Sequence, residues 1–186
     1  MLLSHDQHGD NLDNKGRELL KEIPLTLTTK AGAERLQHNA KGLAPWENLI
    51  VHSTTEIEIS ITATPARHGP PDIEKITGEV IGFIISIKGK QNLQLYITGD
   101  TFFYEGVQEV SKKFQPKYVF AFAGAAKARG TFNLTTNTND VLDTAAAFPQ
   151  AIIIPLHFEG WSHYTETGDM LKKSSLFLIL KQVANS

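Results

Sequence analysis

A short stretch near the start of the chain, residues 4–13, is dense in side chains that bind metal ions. Within nine residues it carries two imidazoles and three carboxylates, on His5, Asp6, His8, Asp10 and Asp13. Imidazole nitrogen and carboxylate oxygen together form the ligand set of zinc, manganese and iron in proteins. A second interpretation fits this stretch equally well: Asp10 or Asp13 caps an acidic helix N-terminus, and the histidines are simply exposed.

Three further candidate ligands each follow a predicted strand. They are His68 after segment 56–64, Asp100 after segment 93–98 and His157 after segment 151–156. Each has an ordinary explanation when taken alone, as a loop histidine, a turn-forming aspartate or a histidine at the edge of the core. A metal site, however, needs several such groups from distant parts of the sequence, and the strand ends of an α/β sheet bring them to one rim. The combination therefore favours a metal site.

The periodicity of apolar residues predicts the elements that position these side chains. Helical spacing occurs over 16–22, 31–38, 104–114 and 139–148, the last helix capped by Thr138. Alternating or continuous apolar segments predict strands over 24–29, 56–64, 78–88, 93–98, 118–123 and 151–156, the last one buried. Residues 39–46 are expected to form a loop, and the tail 166–183 a helix with a strand as the alternative. No linker interrupts this pattern, which is typical of a single α/β domain.

The composition narrows the functional classes. The 186 residues, 41% of them hydrophobic, suffice for one domain with its own core. Eighteen basic and 20 acidic residues give no electrostatic footprint for nucleic acid, so no such partner is expected. Because cysteine is absent, histidine and carboxylate are the only strong metal ligands. Without a signal segment or an apolar run that could span a bilayer, we expect a cytoplasmic protein with no membrane partner.

The order of the motifs resembles the metallo-β-lactamase-fold hydrolases, particularly the branch that includes the ascorbate-6-phosphate lactonase-like enzymes. The most specific matches are Thr98-Gly99-Asp100-Thr101 and the segment 154–161, supported by Asn139-Asp140. The resemblance covers nearly the whole chain. It implies an α/β (α+β) fold, an αββα sandwich of two mixed sheets flanked by helices.

The same resemblance implies one or two divalent metal ions with a bridging hydroxide. The ion is most often zinc, with manganese in some lactonase-like members and iron as a further option. By resemblance, His68 joins the first metal site, Asp100 bridges the two ions, and His157 binds the second ion.

The opening stretch departs from the family motif, HxHxDH. Aligning Asp10 with the family's aspartate places Asp6 on the first histidine, His8 on the second and Asn11 on the third. The resemblance then implies Asp6, His8 and Asp10 as ligands, with His5 as a substitute for Asp6. The neutral amide of Asn11 is a weak ligand, so we expect one firmly held ion and a second, weaker one.

Family members also have several strands before this cluster, and here only residues 1–3 correspond to them. A sheet without these strands exposes unpaired backbone groups and apolar side chains, which is a liability for a monomer. Either the sequence starts at an internal methionine, which we favour, or a partner subunit in a homo-oligomer covers the gap. On the first interpretation, residues 1–186 are one domain that lacks its N-terminal strands.

The chemistry implied is hydrolysis of a small-molecule ester, lactone or phosphodiester. A bound metal lowers the pKa of water and polarises a carbonyl or phosphoryl oxygen, while Asp10 orients the hydroxide and transfers its proton. His163 could contact the substrate or donate a proton, and Arg67 could bind an anionic group, but exposed surface residues explain both equally well or better. The main alternative is a catalytically impaired metal-binding or interaction remnant of the same fold. A di-iron oxidoreductase is weaker, because no flavin or electron-transfer domain is attached.

Overall fold

The computed structural model describes residues 1–52, 57–127 and 131–175, which contain both helices and strands. Helices α1 to α5 cover Asn14–Leu20, Lys30–Leu36, Glu74–Thr77, Glu105–Lys113 and Thr138–Ala147. Strands β1 to β8 cover Thr26–Thr29, Ala40–Leu43, Asn48–His52, Glu58–Pro65, Ile81–Lys88, Leu93–Ile97, Tyr118–Phe122 and Ile152–Leu156. A further helix occupies 168–175, and the rest of the tail predicted to be helical lies outside the described residues.

The strands form two sheets. The large sheet has the order β3-β4-β5-β6-β7-β8, antiparallel from β3 to β6 and parallel from β6 to β8. The small sheet consists of β1 and β2 in parallel, with an isolated bridge from Leu2 to Leu27. Because β4, β6 and β8 run in the same direction, their C-terminal ends lie at the same edge of the large sheet.

The two faces of the large sheet pack against different layers, as the alternation of side chains along a strand requires. Phe83 of β5 packs with Leu27 of the small sheet, whereas its neighbour Ile84 packs with Val110 of α4. Helix α2 covers the outer face of the small sheet: a Cβ atom at Gly32 would lie 3.0 Å from Thr28 Oγ1, on the side opposite Leu27. These layers confirm the αββα sandwich.

Two strands are not predicted from the sequence. Residues 39–46 were expected to be a loop, but they contain β2, and β3 was not anticipated at all. Both form through pairing with partners outside their own segment, β2 with β1 and β3 with β4, so local periodicity does not reveal them. Gly42 allows the close approach of β2 to α2, because a Cβ atom there would lie 2.6 Å from Lys30 Cα.

Two details of the predicted elements were wrong. Helix α5 is capped by Asn137 instead of Thr138: the Asn137 side chain accepts from the Asp140 N–H, and the Asp140 carboxylate accepts from the Asn137 N–H. Strand β8 is not buried, since Ile152 is 56% exposed. An apolar run predicts a strand but does not say whether that strand is central, and β8 lies at the edge of its sheet. No helix in the described ranges has the length and apolar character needed to cross a membrane.

Candidate metal centre

Four ligand atoms converge at the edge of the large sheet where β4 and β6 end. They belong to His5, His8, His68 and Asp100, which we call the first group, and all lie within 4.8 Å of one another. His8 Nδ1 is 3.1 Å from His5 Nε2 and 3.1 Å from His68 Nε2. His5 Nε2 is also 3.8 Å from Asp100 Oδ2. Side chains that are up to 95 residues apart in the sequence thus lie close together. This is expected for His68 and Asp100, which follow strands that end at one edge of the sheet.

Contacts on the far side of two imidazole rings hold those rings in place. His68 Nδ1 donates to the carbonyl of Leu134 at 2.9 Å, which leaves Nε2 unprotonated. His5 Nδ1 lies 3.0 Å from Ser4 Oγ and 3.3 Å from the amide nitrogen of Asn11. Burial, helped by the neighbouring His68 and His8 and opposed by Asp100, lowers the pKa of His5 to about 4. Burial also lowers the pKa of His68. Uncharged rings that point their nitrogens at one another form a cation site.

The loop that carries His5 and His8 is held by two arginines. Arg35 of α2 forms a bidentate ion pair with the Asp6 carboxylate, with Nε 2.9 Å from Oδ2. Arg17 of α1 donates to the Asp6 carbonyl. Asp6 therefore faces α2, and the structure does not bring it into either group of ligand atoms. His5, which the sequence analysis named as the substitute for Asp6, lies in the first group instead, so the placement of Asp6 among the ligand atoms is corrected.

A second group of ligand atoms lies beside the first and shares Asp100 with it. This second group comprises Asp10, Asp100 and His157. His157 Nε2 is 3.5 Å from Asp10 Oδ2 and 3.5 Å from Asp100 Oδ1. Although burial disfavours charge on the ring, the two carboxylates raise the pKa of His157 to about 9. His157 also has a left-handed backbone with φ of 58°, which is uncommon for a residue with a side chain and is often found at functional sites.

Burial alone would raise the pKa of both carboxyl groups in the second group. The neighbouring His157 outweighs this effect and lowers the pKa of Asp100, with a further contribution from His5. His157 and then His163 lower the pKa of Asp10 in the same way. Both carboxyl groups are therefore negatively charged at neutral pH, as metal ligands must be.

Unpartnered polar atoms test whether these residues fit a metal ion. Within the described ranges, both carboxylate oxygens of Asp100 and the Nε2 atom of His157 are buried without a hydrogen-bond partner. Buried polar atoms without a hydrogen-bond partner are rare in native proteins and call for an explanation. Divalent cations held by the two groups would satisfy all three atoms. The chemistry of the donor set therefore fits a metal.

Asn11 does not face the second group. Its amide nitrogen donates to the His5 carbonyl, and its amide oxygen lies 3.4 Å from Ser4 Oγ. The expectation that Asn11 is a weak ligand of the second ion is therefore corrected: Asn11 supports His5. Neither this role nor that of Leu134 has a signal in the sequence, because both depend on contacts that only the folded loops create.

His163 joins the site through Asp10. Its Nε2 atom is 2.8 Å from Asp10 Oδ2, and both side chains line a cavity of about 360 Å³. Arg67 does not line this cavity. Its guanidinium group is stacked between the rings of Phe102 and Tyr104, at 4.7 and 4.4 Å from their centroids. The expected anion contact through Arg67 is therefore not supported at this cavity.

Comparison with known proteins identifies the family of this chain. Residues 1–158 match the family described as "Beta-lactamase superfamily domain". The chain belongs to this family. The superfamily that the order of the motifs suggested is thereby confirmed.

The UPF0173 protein YddR of Bacillus subtilis (strain 168) is a curated relative of this chain. The two are 26% identical over 171 residues, which cover 90% of this chain and 65% of the relative. The chain thus spans just under two thirds of that protein's length.

Solved structures share the fold. An isothiocyanate hydrolase from Delia radicum gut bacteria has a TM-score of 0.80 at 21% identity, covering 95% of this chain and 69% of that one. A possible metal-dependent hydrolase from Veillonella parvula DSM 2008 has a TM-score of 0.81 at 16% identity, covering 97% and 70%. At such identities the likeness shows the fold alone.

Proposed function

We propose that this protein is a metal-dependent hydrolase of a small-molecule ester, lactone or phosphodiester. The first group would hold one divalent ion, and Asp10, Asp100 and His157 would hold a second. The observation that carries the proposal is Asp100, whose two buried oxygens have no hydrogen-bond partner in the described chain and lie between both groups. The nitrogen-rich first group favours zinc, with manganese or iron as alternatives.

When bound, such an ion supplies hydroxide at neutral pH and polarises the substrate oxygen. The residues of the chain would do the rest. Asp10 lines the cavity and can orient the attacking water and accept its proton. His163 lies 2.8 Å from Asp10 Oδ2 and lines the same cavity, so it can hold that proton close to a leaving group. The two solved neighbours are named as an isothiocyanate hydrolase and a possible metal-dependent hydrolase, which agrees with this proposal.

A non-catalytic metal-binding remnant is the second candidate, and one observation favours it. The second group contains one imidazole only, since Asn11 turns towards His5 instead of joining Asp10 and His157. A second ion that binds too weakly would leave the first ion without its partner. A cytoplasmic location and a homo-oligomeric state stay predictions from the sequence.

The test is hydrolysis by zinc-loaded protein of phenyl acetate, a γ-lactone and a phosphodiester, compared with Asp100→Asn. The matched control is His38→Ala, because His38 is an exposed histidine outside both groups. We expect at least one substrate to be hydrolysed, with activity abolished by a chelator and by Asp100→Asn but not by His38→Ala. Bound metal without hydrolysis of any substrate would favour the remnant. Protein that retains no metal would contradict the site itself.

A further inference from the structure

We propose that the cavity beside the two groups takes a substrate with an apolar, aromatic-sized substituent, and that Trp161 recognises this substituent. The inference rests on the proposed function, because the bond to be hydrolysed would lie against the candidate metal ligands. It narrows the substrate to an ester, lactone or phosphodiester that carries such a substituent.

The lining of the cavity separates into a reactive part and an apolar part. His8, Asp10 and His163 provide polar atoms beside the candidate metal centre, whereas Ala126, Leu134 and Trp161 provide apolar surface. Its volume of about 360 Å³ lies within the range of small-molecule sites. A substrate in this cavity would place its reacting bond against the histidines and its remaining atoms against the apolar residues.

Trp161 is the largest of these apolar side chains, and it is 48% exposed. Its ring lies next to the metal-site loop: a Cβ atom at Gly9 would be 3.9 Å from Trp161 Cη2. The ring centroid is 6.1 Å from that of His163. A half-exposed indole at the rim of a cavity provides a flat apolar surface on which an aromatic group can stack.

Equilibrium dialysis of zinc-loaded protein with benzamide and acetamide tests the inference. The two probes share the amide, and they differ only in the ring that benzamide carries in place of a methyl group. We expect benzamide to bind about tenfold more tightly than acetamide. Trp161→Ala should weaken benzamide binding about tenfold, whereas Trp161→Phe, which retains a ring, should weaken it about threefold or less. Zinc content and circular dichroism should be unchanged in both variants.

Equal or tighter binding of acetamide would overturn the inference, and so would benzamide binding that Trp161→Ala leaves unchanged. The comparison of the two probes needs only the wild-type protein, so it remains decisive even if a variant folds poorly. Benzamide binding does not require turnover. A protein that binds benzamide through Trp161 but hydrolyses nothing would refute the proposed hydrolase and support the inference about the cavity. A protein that hydrolyses a substrate but binds benzamide equally well without Trp161 would support the hydrolase and refute the inference.

Discussion

The first and second groups share Asp100, but different interactions hold their other members in place. In the first group three imidazoles converge, and two of them are fixed from behind, His68 by the Leu134 carbonyl and His5 by Ser4. In the second group a single imidazole, His157, lies between the carboxylates of Asp10 and Asp100. The first group thus consists mainly of imidazole nitrogens, whereas the second combines one positively charged imidazole with two carboxylates.

This difference predicts unequal metal affinities. Burial lowers the pKa of His5 and of His68, so both rings are uncharged at neutral pH and a metal that binds to the first group does not have to displace an extra proton from either. The second group is already partly neutralised, because the carboxylates raise the pKa of His157 to about 9 and keep its ring protonated at neutral pH. A metal that binds there must first displace this proton, which lowers its apparent affinity. We therefore expect the first ion to bind more tightly than the second.

The largest effect is expected for His68→Ala. Removing a buried ligand whose tautomer is fixed should weaken the first ion's affinity about a thousandfold. Competition with a zinc chelator measures this change, with His38→Ala as the control. Retention of the first ion at wild-type affinity would show that His68 is not a ligand.

His157→Ala should have a smaller effect, confined to the second ion. We expect about a hundredfold loss of the second ion's affinity and less than a threefold change for the first, because His157 lies outside the first group. Metal content after dialysis at fixed free zinc reports both. Equal losses of metal in His157→Ala and His68→Ala would contradict the ranking of the two groups.

Substitutions of Asn11 test whether this residue supports His5 or occupies the position of a ligand of the second ion. Because its side chain contacts the His5 carbonyl, Asn11→Ala should weaken the first ion about tenfold and leave the second unchanged. Asn14→Ala, an exposed asparagine in α1, is the control. Asn11→His should not strengthen the second ion. A second ion that becomes tighter in Asn11→His would show that position 11 faces the second group after all.

Arg35→Ala should have the smallest effect. It leaves the buried Asp6 carboxylate without its bidentate partner, but Arg35 itself is 44% exposed, so water replaces part of the interaction. We expect a loss of about 1 kcal/mol in the free energy of unfolding of the metal-free protein, measured by urea denaturation, with Arg35→Lys recovering part of it. An unchanged unfolding free energy would mean that this ion pair does not hold the loop.

The sequence predicted the rim of the site better than its details. The structure brings His68, Asp100 and His157 together, as predicted, because each follows a strand whose periodicity is clear and the ends of strands that run in the same direction meet at one edge. The choice between Asp6 and His5 was left open. Spacing alone aligned Asp6 with the family motif, whereas Arg35, 29 residues away, turns that carboxylate towards α2. Strand β2 was missed for the same kind of reason, since its pairing with β1 is not local.

Zinc titration of the metal-free protein, followed by equilibrium dialysis, tests the central claim most directly. The claim is that Asp100 joins one preorganised site to a second, weaker site. We predict two ions per chain at saturation, the first bound at least about tenfold more tightly than the second, with both losing affinity in Asp100→Asn. Two ions of equal affinity, or a wild-type protein that retains no zinc, manganese or iron, would contradict this account.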